Sequence, residues 1–313
     1  MEGRPQVNPL FVLAFGILAV SSASIFVRYA QETAPSLVIA AWRLALAALI
    51  LAPLALRRDR EALRGLQRGE LALALFSGLF LALHFATWIS SLEFTTVASS
   101  AVLVTTTPLW VALASPFLLK EPITRPILTG MLLALAGGVI IGLSDTCTWQ
   151  AGSLACPGLD EMVRGRAFLG DMLALAGAIF AAAYVIIGRK LRGNLTLLSY
   201  IFLVYGVAAV VLVGMMLLAR KPAFGYPPIT YLWFLLLAIF PQLLGHSSFN
   251  WALKYVSAAY VSVTLLGAPI GTTILAYFLL GEAPAAIQVF GAILILAGIL
   301  IASRASRVEV KRA

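Results

Sequence analysis

Charge is what this sequence has least of. Only 11% of its 313 residues are Asp, Glu, Lys or Arg, against about 25% in soluble domains. A soluble domain of this size is excluded on that ground. Cysteine is nearly absent: Cys147 and Cys156 are the two in the chain, both in one polar loop. Two thiols without other ligands nearby make no zinc site, so no metal is expected. No Gly-Lys-Ser/Thr run of the Walker type is present, which argues against ATP hydrolysis. Acidic residues are almost missing from the apolar runs, so an intramembrane enzyme built on clustered acids or a His/Asp/Ser constellation lacks its parts. A channel filter would need a ring of carbonyls or charges, and none can be read. No cofactor is expected.

What the chain has is apolar sequence: 61% hydrophobic residues and a mean hydropathy of +0.99. A bilayer core takes about 20 apolar residues per helix. Such runs recur at 9–28, 36–56, 70–91, 96–118 and 125–144, then at 168–188, 196–219, 230–252, 258–280 and 285–303. The reading is an all-α membrane protein with ten transmembrane helices. The first run lacks a convincing small-residue cleavage site and is read as a retained helix. The longest connection, Asp145 to Ala167, holds Gly152, Pro157 and Gly158 and separates residues 1–145 from 168–313. The net charge of +9 suits cytoplasmic membrane loops better than nucleic acid, which is not expected as a partner. With the N-terminus inside, sixteen Lys and Arg lie in inside loops and five outside, Arg43 being the last of 22. That places both termini in the cytoplasm of a cell whose inner membrane holds the protein, and the connecting loop 146–167 outside.

The two halves repeat one another 161 residues apart without a gap: Leu92 matches Leu253, Pro108 matches Pro269, Glu121 matches Glu282, Gly130 matches Gly291 and Gly137 matches Gly298. Pro, Glu and Gly carry weight because each is an exception inside an apolar run. Five spans per repeat is an odd number, so the second repeat enters the membrane from the opposite side. Inverted repeats of this kind are a common build for secondary transporters.

The run GHSSFNWALKYVSAAYVSVTLLGAPIGTTILAYFLLGE, Gly245 to Glu282, resembles the second repeat of EamA-type transporters of the drug/metabolite transporter superfamily. SLEFTTVASSAVLVTTTPLWVALASPFLLKE, Ser91 to Glu121, resembles the corresponding part of the first repeat, and WRL, Trp42 to Leu44, resembles the second span. The resemblance implies two inverted five-helix halves around a central cavity, and movement of a small-molecule substrate such as an amino acid, usually outward. Many relatives carry an acid just before the Pro of the ninth span. Here Ala268 stands there, and Thr107 in the first repeat, so proton coupling through that position is not available.

Arg43 lies some seven residues into the second span. A central Arg costs at least ~2.5 kcal/mol on insertion scales, so it should face a cavity or a partner. It either holds a substrate carboxylate with its planar fork or satisfies backbone carbonyls of a broken helix. Glu93 is the sole acid offered as an ion-pair partner. His84 and Trp88 stand one turn apart on the third span, and Gln242, His246 and Asn250 form a stripe at four-residue spacing on the eighth. They can bind substrate or move a proton, or they can be interhelical hydrogen bonds. Trp88 matches Phe249 across the repeat, and Tyr184, Tyr200 and Tyr205 can add aromatic wall.

Pro108 and Pro269 are placed mid-helix, each clashing with the carbonyl four residues back, as hinges or as static kinks. Gly130, Ala134, Gly138 and Gly142, echoed by Gly298 and Ala302, permit close helix packing. Glu121 and Glu282 cap or latch helix ends. Cys147 and Cys156 share an outside loop, where a disulfide can form.

Overall fold

The computed structural model describes residues 5, 7–95, 100, 103–146, 148–150, 153–155, 166–280 and 286–312, with side chains described except at 141–155, 167, 273, 276, 279–280, 288 and 303–312. Cys147, Cys156 and Glu282 lie outside the described residues, and so do the roles expected of them.

Six helices are long and apolar enough to cross a membrane: Pro9–Gln31, Ser36–Arg58, Arg68–Ser91, Phe168–Arg192, Leu197–Leu218 and Pro228–Ala252, of 22 to 25 residues. At 1.5 Å per residue these reach about 33 to 38 Å, enough for a hydrocarbon core of ~30 Å. Four shorter apolar helices, Thr107–Leu118, Arg125–Ile140, Ala258–Thr272 and Val289–Ala302, stand where the fourth, fifth, ninth and tenth runs were read. We number all ten segments in chain order. The exterior is apolar, with Phe117 84% and Leu218 86% exposed, whereas Arg43 is 1% exposed. Polar groups inside and apolar ones outside is the arrangement that lipid, not water, selects. The connection after the fifth segment contributes a small hairpin, β1 (Thr148–Gln150) paired antiparallel with β2 (Ser153–Ala155).

Helix ends are set by local chemistry. Asn8 caps the first segment, its Oδ1 accepting from Leu10 N at 3.0 Å, with Pro9 in the first turn. Gln67 and Glu70 form a capping box on the third. Thr196 and Ser257 cap the seventh and ninth through the amides of Ser199 and Tyr260.

The packing repeats itself. The third segment packs on the sixth and the first on the eighth; the second faces the seventh, the fourth the ninth and the fifth the tenth. Shifting each segment by five returns the same set of pairs. Backbones meet closely at the fifth–tenth crossing. A Cβ on Gly130 would lie 2.4 Å from the Gly298 carbonyl oxygen, one on Gly298 would lie 2.4 Å from that of Gly130, and one on Gly137 would lie 2.5 Å from that of Gly291. Gly298 and Gly291 are the repeat partners of Gly137 and Gly130, so the crossing is antiparallel and reciprocal, as a two-fold axis requires. A second matched pair joins the halves: Gly16 abuts Ser248, and its repeat partner Gly177 abuts Thr87, the partner of Ser248.

Three expectations are corrected here. The small-residue face of the fifth segment is Gly130, Ala134 and Gly137; Gly138 turns instead to the central cavity. This follows from a 3.6-residue turn, which moves a strict four-residue repeat around the helix. The two prolines do not sit mid-helix. The fourth segment breaks at Thr105–Thr106 and restarts as Thr107–Leu118; the ninth breaks at Leu266–Gly267 and restarts as Ala268–Leu280. Pro108 and Pro269 therefore occupy first turns, where a missing N–H costs nothing, and the clash with Val104 or Leu265 does not arise. Finally, the eighth segment is not one α-helix. It runs Pro228–Leu237, then a π-helical stretch Ala238–His246 containing Pro241, then Ser247–Ala252.

Candidate functional site

Between the halves lies a cavity of about 260 Å3. Arg43, His84, Trp88, His246 and Asn250 line it, with Pro108 and Pro269 at the two helix breaks. Of the residues read as substrate-binding, only Gln242 stands behind the wall, fully buried.

Arg43 projects from the helix Ser36–Arg58. Its Nε donates to Gln242 Oε1 at 2.9 Å, and its Cζ sits 4.1 Å from the centroid of the Phe85 ring. The flat face is thus covered by a π-cloud and one edge is held by an amide. Nη1 and Nη2 are buried and have no hydrogen-bond partner among the described residues. The expected ion-pair partner is elsewhere: Glu93 Oε1 accepts from the Ser36 amide at 3.1 Å and caps the second segment. Gln242 comes from the π-helical stretch, whose wider turn gives the chain an extra residue there. Its own Nε2 is also buried without a partner among the described residues.

Below the guanidinium runs a neutral hydrogen-bonded chain. Tyr184 Oη donates to Asn250 Oδ1 at 2.7 Å, Asn250 Nδ2 donates to Tyr205 Oη at 3.2 Å, and Tyr205 Oη reaches the Gln242 carbonyl at 3.4 Å. Asn250 is therefore a connector that uses both ends of its amide. Tyr184 lines the cavity, but Tyr200 and Tyr205 do not; they are buried polar links, Tyr200 pairing with Ser77 Oγ at 3.0 Å.

The two histidines differ. His84 Nδ1 lies 2.9 Å from the Gly177 carbonyl, which can only accept, so Nδ1 carries the proton and the ring is tied to the sixth segment. Its ring lies parallel to Trp88, at 4° and 6.1 Å. His246 meets Phe85 edge-on at 5.3 Å and Phe249 at 6.5 Å, and has no hydrogen-bond partner among the described residues. It is the histidine left open to the cavity.

At the first break, hydroxyls satisfy carbonyls that an unbroken helix would have bonded. Thr107 Oγ1 donates to Val104 O at 2.8 Å and Thr106 Oγ1 to Leu103 O at 2.6 Å. After the second break, Ser21 Oγ ties the first segment to the restarted helix by donating to Ala268 O at 2.9 Å, which Thr272 Oγ1 also reaches at 3.1 Å. In lipid these bonds are obligatory. At one end of the bundle Glu121 accepts from Arg189 Nε at 2.5 Å and from the Ala258 amide at 3.1 Å, while Arg189 Nη1 donates to Leu253 O at 2.7 Å. One carboxylate and one guanidinium thereby join the ends of the fourth, sixth, eighth and ninth segments, the latch expected of Glu121.

Sequence reasoning missed Phe85, which forms the bed of Arg43, and the π-helical stretch that brings Gln242 to it. Pro241 inside an apolar run, close before Gly245, was the available signal for the second.

The cavity is thus surrounded by helices, walled mainly by apolar groups, and lined by the buried cation Arg43. The chain belongs to the EamA-like transporter family, whose pattern it matches twice, at residues 8–143 and 168–304. It is 25% identical over 277 residues to the uncharacterized transporter YyaM of Bacillus subtilis, covering 86% of this chain and 85% of that one. It is 24% identical over 294 residues to an uncharacterized transporter of Archaeoglobus fulgidus, covering 93% and 95%. Among solved structures, one crystal structure superposes with a TM-score of 0.76 at 19% identity over 96% of this chain and 97% of the other, a likeness of fold.

Proposed function

We propose that this protein is a secondary transporter that exports small carboxylate-bearing metabolites, amino acids or their relatives, by alternating access. The observation that carries the reading is Arg43, which lines the cavity and whose Nη1 and Nη2 are buried and unpartnered among the described residues. A carboxylate accepts from two such donors at once, and it would neutralise a charge that costs several kcal/mol to keep dry. Phe85, Trp88, Phe249 and His246 then enclose the body of the substrate. Ten spans in two inverted halves, with both termini cytoplasmic, fit the reciprocal Gly crossing and the sixteen-to-five split of basic residues. Pro108 and Pro269 are the hinges, since each starts a helix that can tilt about the preceding turn. Export is the direction that the family resemblance implies.

Counterflow in proteoliposomes tests the activity: a carrier preloaded with its carboxylate substrate accelerates uptake of label, and a pore or an enzyme does not. Absence of trans-stimulation for every carboxylate tried would sink the carrier reading. Topology is tested by Gln67→Cys, which should resist an impermeant maleimide in intact cells. Ready labelling from outside would reverse the orientation.

A further inference from the structure

The polar groups of the cavity are unevenly matched, and the mismatch speaks to the charge of the ligand. Two buried donor atoms of the wall residue Arg43, Nη1 and Nη2, lack a partner among the described residues, and so does Nε2 of Gln242 behind it. The Gln242 amide orientation follows from its bond, because Oε1 must face the Arg43 Nε donor. No Asp or Glu lines the cavity among the described residues. Asn250 Oδ1, an acceptor that could serve a cationic group, is neutral and already accepts from Tyr184. Glu93 and Glu121, acids of the segments around the cavity, are bound to Ser36 and to Arg189 and Ala258.

We propose that the cavity selects a singly charged organic anion with a flat apolar body and no ammonium group. This rests on the reading of the cavity as the substrate site and narrows it: a deaminated acid is preferred to its amino acid. A zwitterion satisfies the guanidinium equally well. Its ammonium, however, must then be desolvated with no counter-charge on the wall, and an unpaired buried charge is among the most costly groups in a low dielectric. A cation meets Arg43 directly and is repelled. The body follows from the walls, where Trp88, the parallel His84 ring, Phe85, His246 and Phe249 form one continuous aromatic cluster. A volume of about 260 Å3 suits one small ring system rather than a drug-sized ligand.

The test compares ligands of one body and three charges, using the full-length protein in lipid nanodiscs at neutral pH. One series is indole-3-acetate, tryptophan and tryptamine; the other is phenylacetate, phenylalanine and phenethylamine. Binding is read by thermal stabilisation and by displacement of the labelled acid. In at least one series the acid should bind at least about tenfold tighter than its amino acid, the amine should not bind, and Arg43→Gln should lose the acid. The ranking in the unaltered protein decides the matter even where Arg43→Gln fails to fold. An amino acid binding as tightly as its acid, with both lost in Arg43→Gln, overturns this inference and leaves the carboxylate role of Arg43 standing. Binding of the acid unchanged in Arg43→Gln overturns both. No binding by any of the six overturns the inference.

Discussion

The crossing of the fifth and tenth segments and the wall of the cavity differ in how far they keep the repeat. At the crossing, repeat partners do the same job: Gly130 meets Gly298 as Gly298 meets Gly130. At the cavity most wall positions still come as repeat partners, Trp88 with Phe249 and Pro108 with Pro269 among them, but the polar ones do different jobs. The position of Arg43 is Val204 in the second half, that of His84 is Gly245, and that of His246 is Phe85. Gly245 has no room for a side chain, since a Cβ there would lie 2.5 Å from Val20 Cγ1. The frame keeps the repeat, and the site departs from it at its polar side chains. A single small ligand needs one cation, not two related by an axis.

This contrast can be broken at several points. The largest effect is expected for Gly130→Val and Gly298→Val. Each drives a branched side chain into backbone on the facing helix, costing about 3 kcal/mol or more, and the two should be equally damaging. Folded yield and thermal stability in detergent measure this; a mild loss in one and a severe loss in the other would contradict the reciprocity. Next comes Arg43→Ala, expected to lower transport of a carboxylate at least about hundredfold. Arg43→Lys, which loses the fork, should fall between. Val204→Ala at the matched position should cost about 1 to 3 kcal/mol of stability while transport persists. Glu93→Gln should also leave transport intact, because Glu93 caps a helix and does not pair with Arg43. Normal transport by a folded Arg43→Ala protein would remove the binding role.

A smaller effect is expected at Asp59, just beyond the second segment. Partial burial acts to raise its pKa, but hydrogen bonds from Thr196 and from the Ser199 hydroxyl and amide outweigh it and hold the carboxyl below its ordinary value. A depressed carboxylate stabilises the fold above its unfolded pKa, near ~3.9, and that contribution is lost as pH falls through the lower folded value. Asp59→Asn should therefore lower the melting temperature at pH 7, with the gap to the unaltered protein closing below about pH 4. A gap constant down to pH 2 would show that ionisation is not what Asp59 contributes. The smallest effect is expected for Gly138→Ala, since a Cβ there meets nothing closer than Thr105 Oγ1 at 4.0 Å. Stability should change by less than about 1 kcal/mol, in contrast to its neighbour Gly137.

The frame was legible in the sequence for a physical reason. Gly, Pro and Glu are conspicuous within apolar runs, and a gapless repeat makes each appear twice. The site was legible where one residue stood out by its cost, as Arg43 does. What escaped is what periodicity assumes away. Gln242, His246 and Asn250 read as one stripe of an α-helix, yet the π-helical stretch rotates them into three roles: a brace behind the wall, an open ring on it, and a link in a tyrosine chain. The prolines are conspicuous in the sequence, but the breaks that put them in first turns are not, nor is the tie of the second restarted helix to a distant segment, from Ser21 to Ala268. No one-dimensional pattern pairs residues 247 positions apart.

The guanidinium of Arg43 is fixed to the wall by Gln242 and Phe85, and it stays with the protein when the ligand leaves. In the alternating-access cycle proposed above, whatever charge movement the protein made while presenting its cavity to one side would be reversed on the return. Over a full cycle with the empty cavity returning, only the charge of the cargo has crossed. For a monoanion that is one elementary charge, worth about 2.3 kcal/mol per 100 mV of membrane potential. A cell whose interior is negative would then drive such an anion outward without any companion ion, and export would be visible as an electric current.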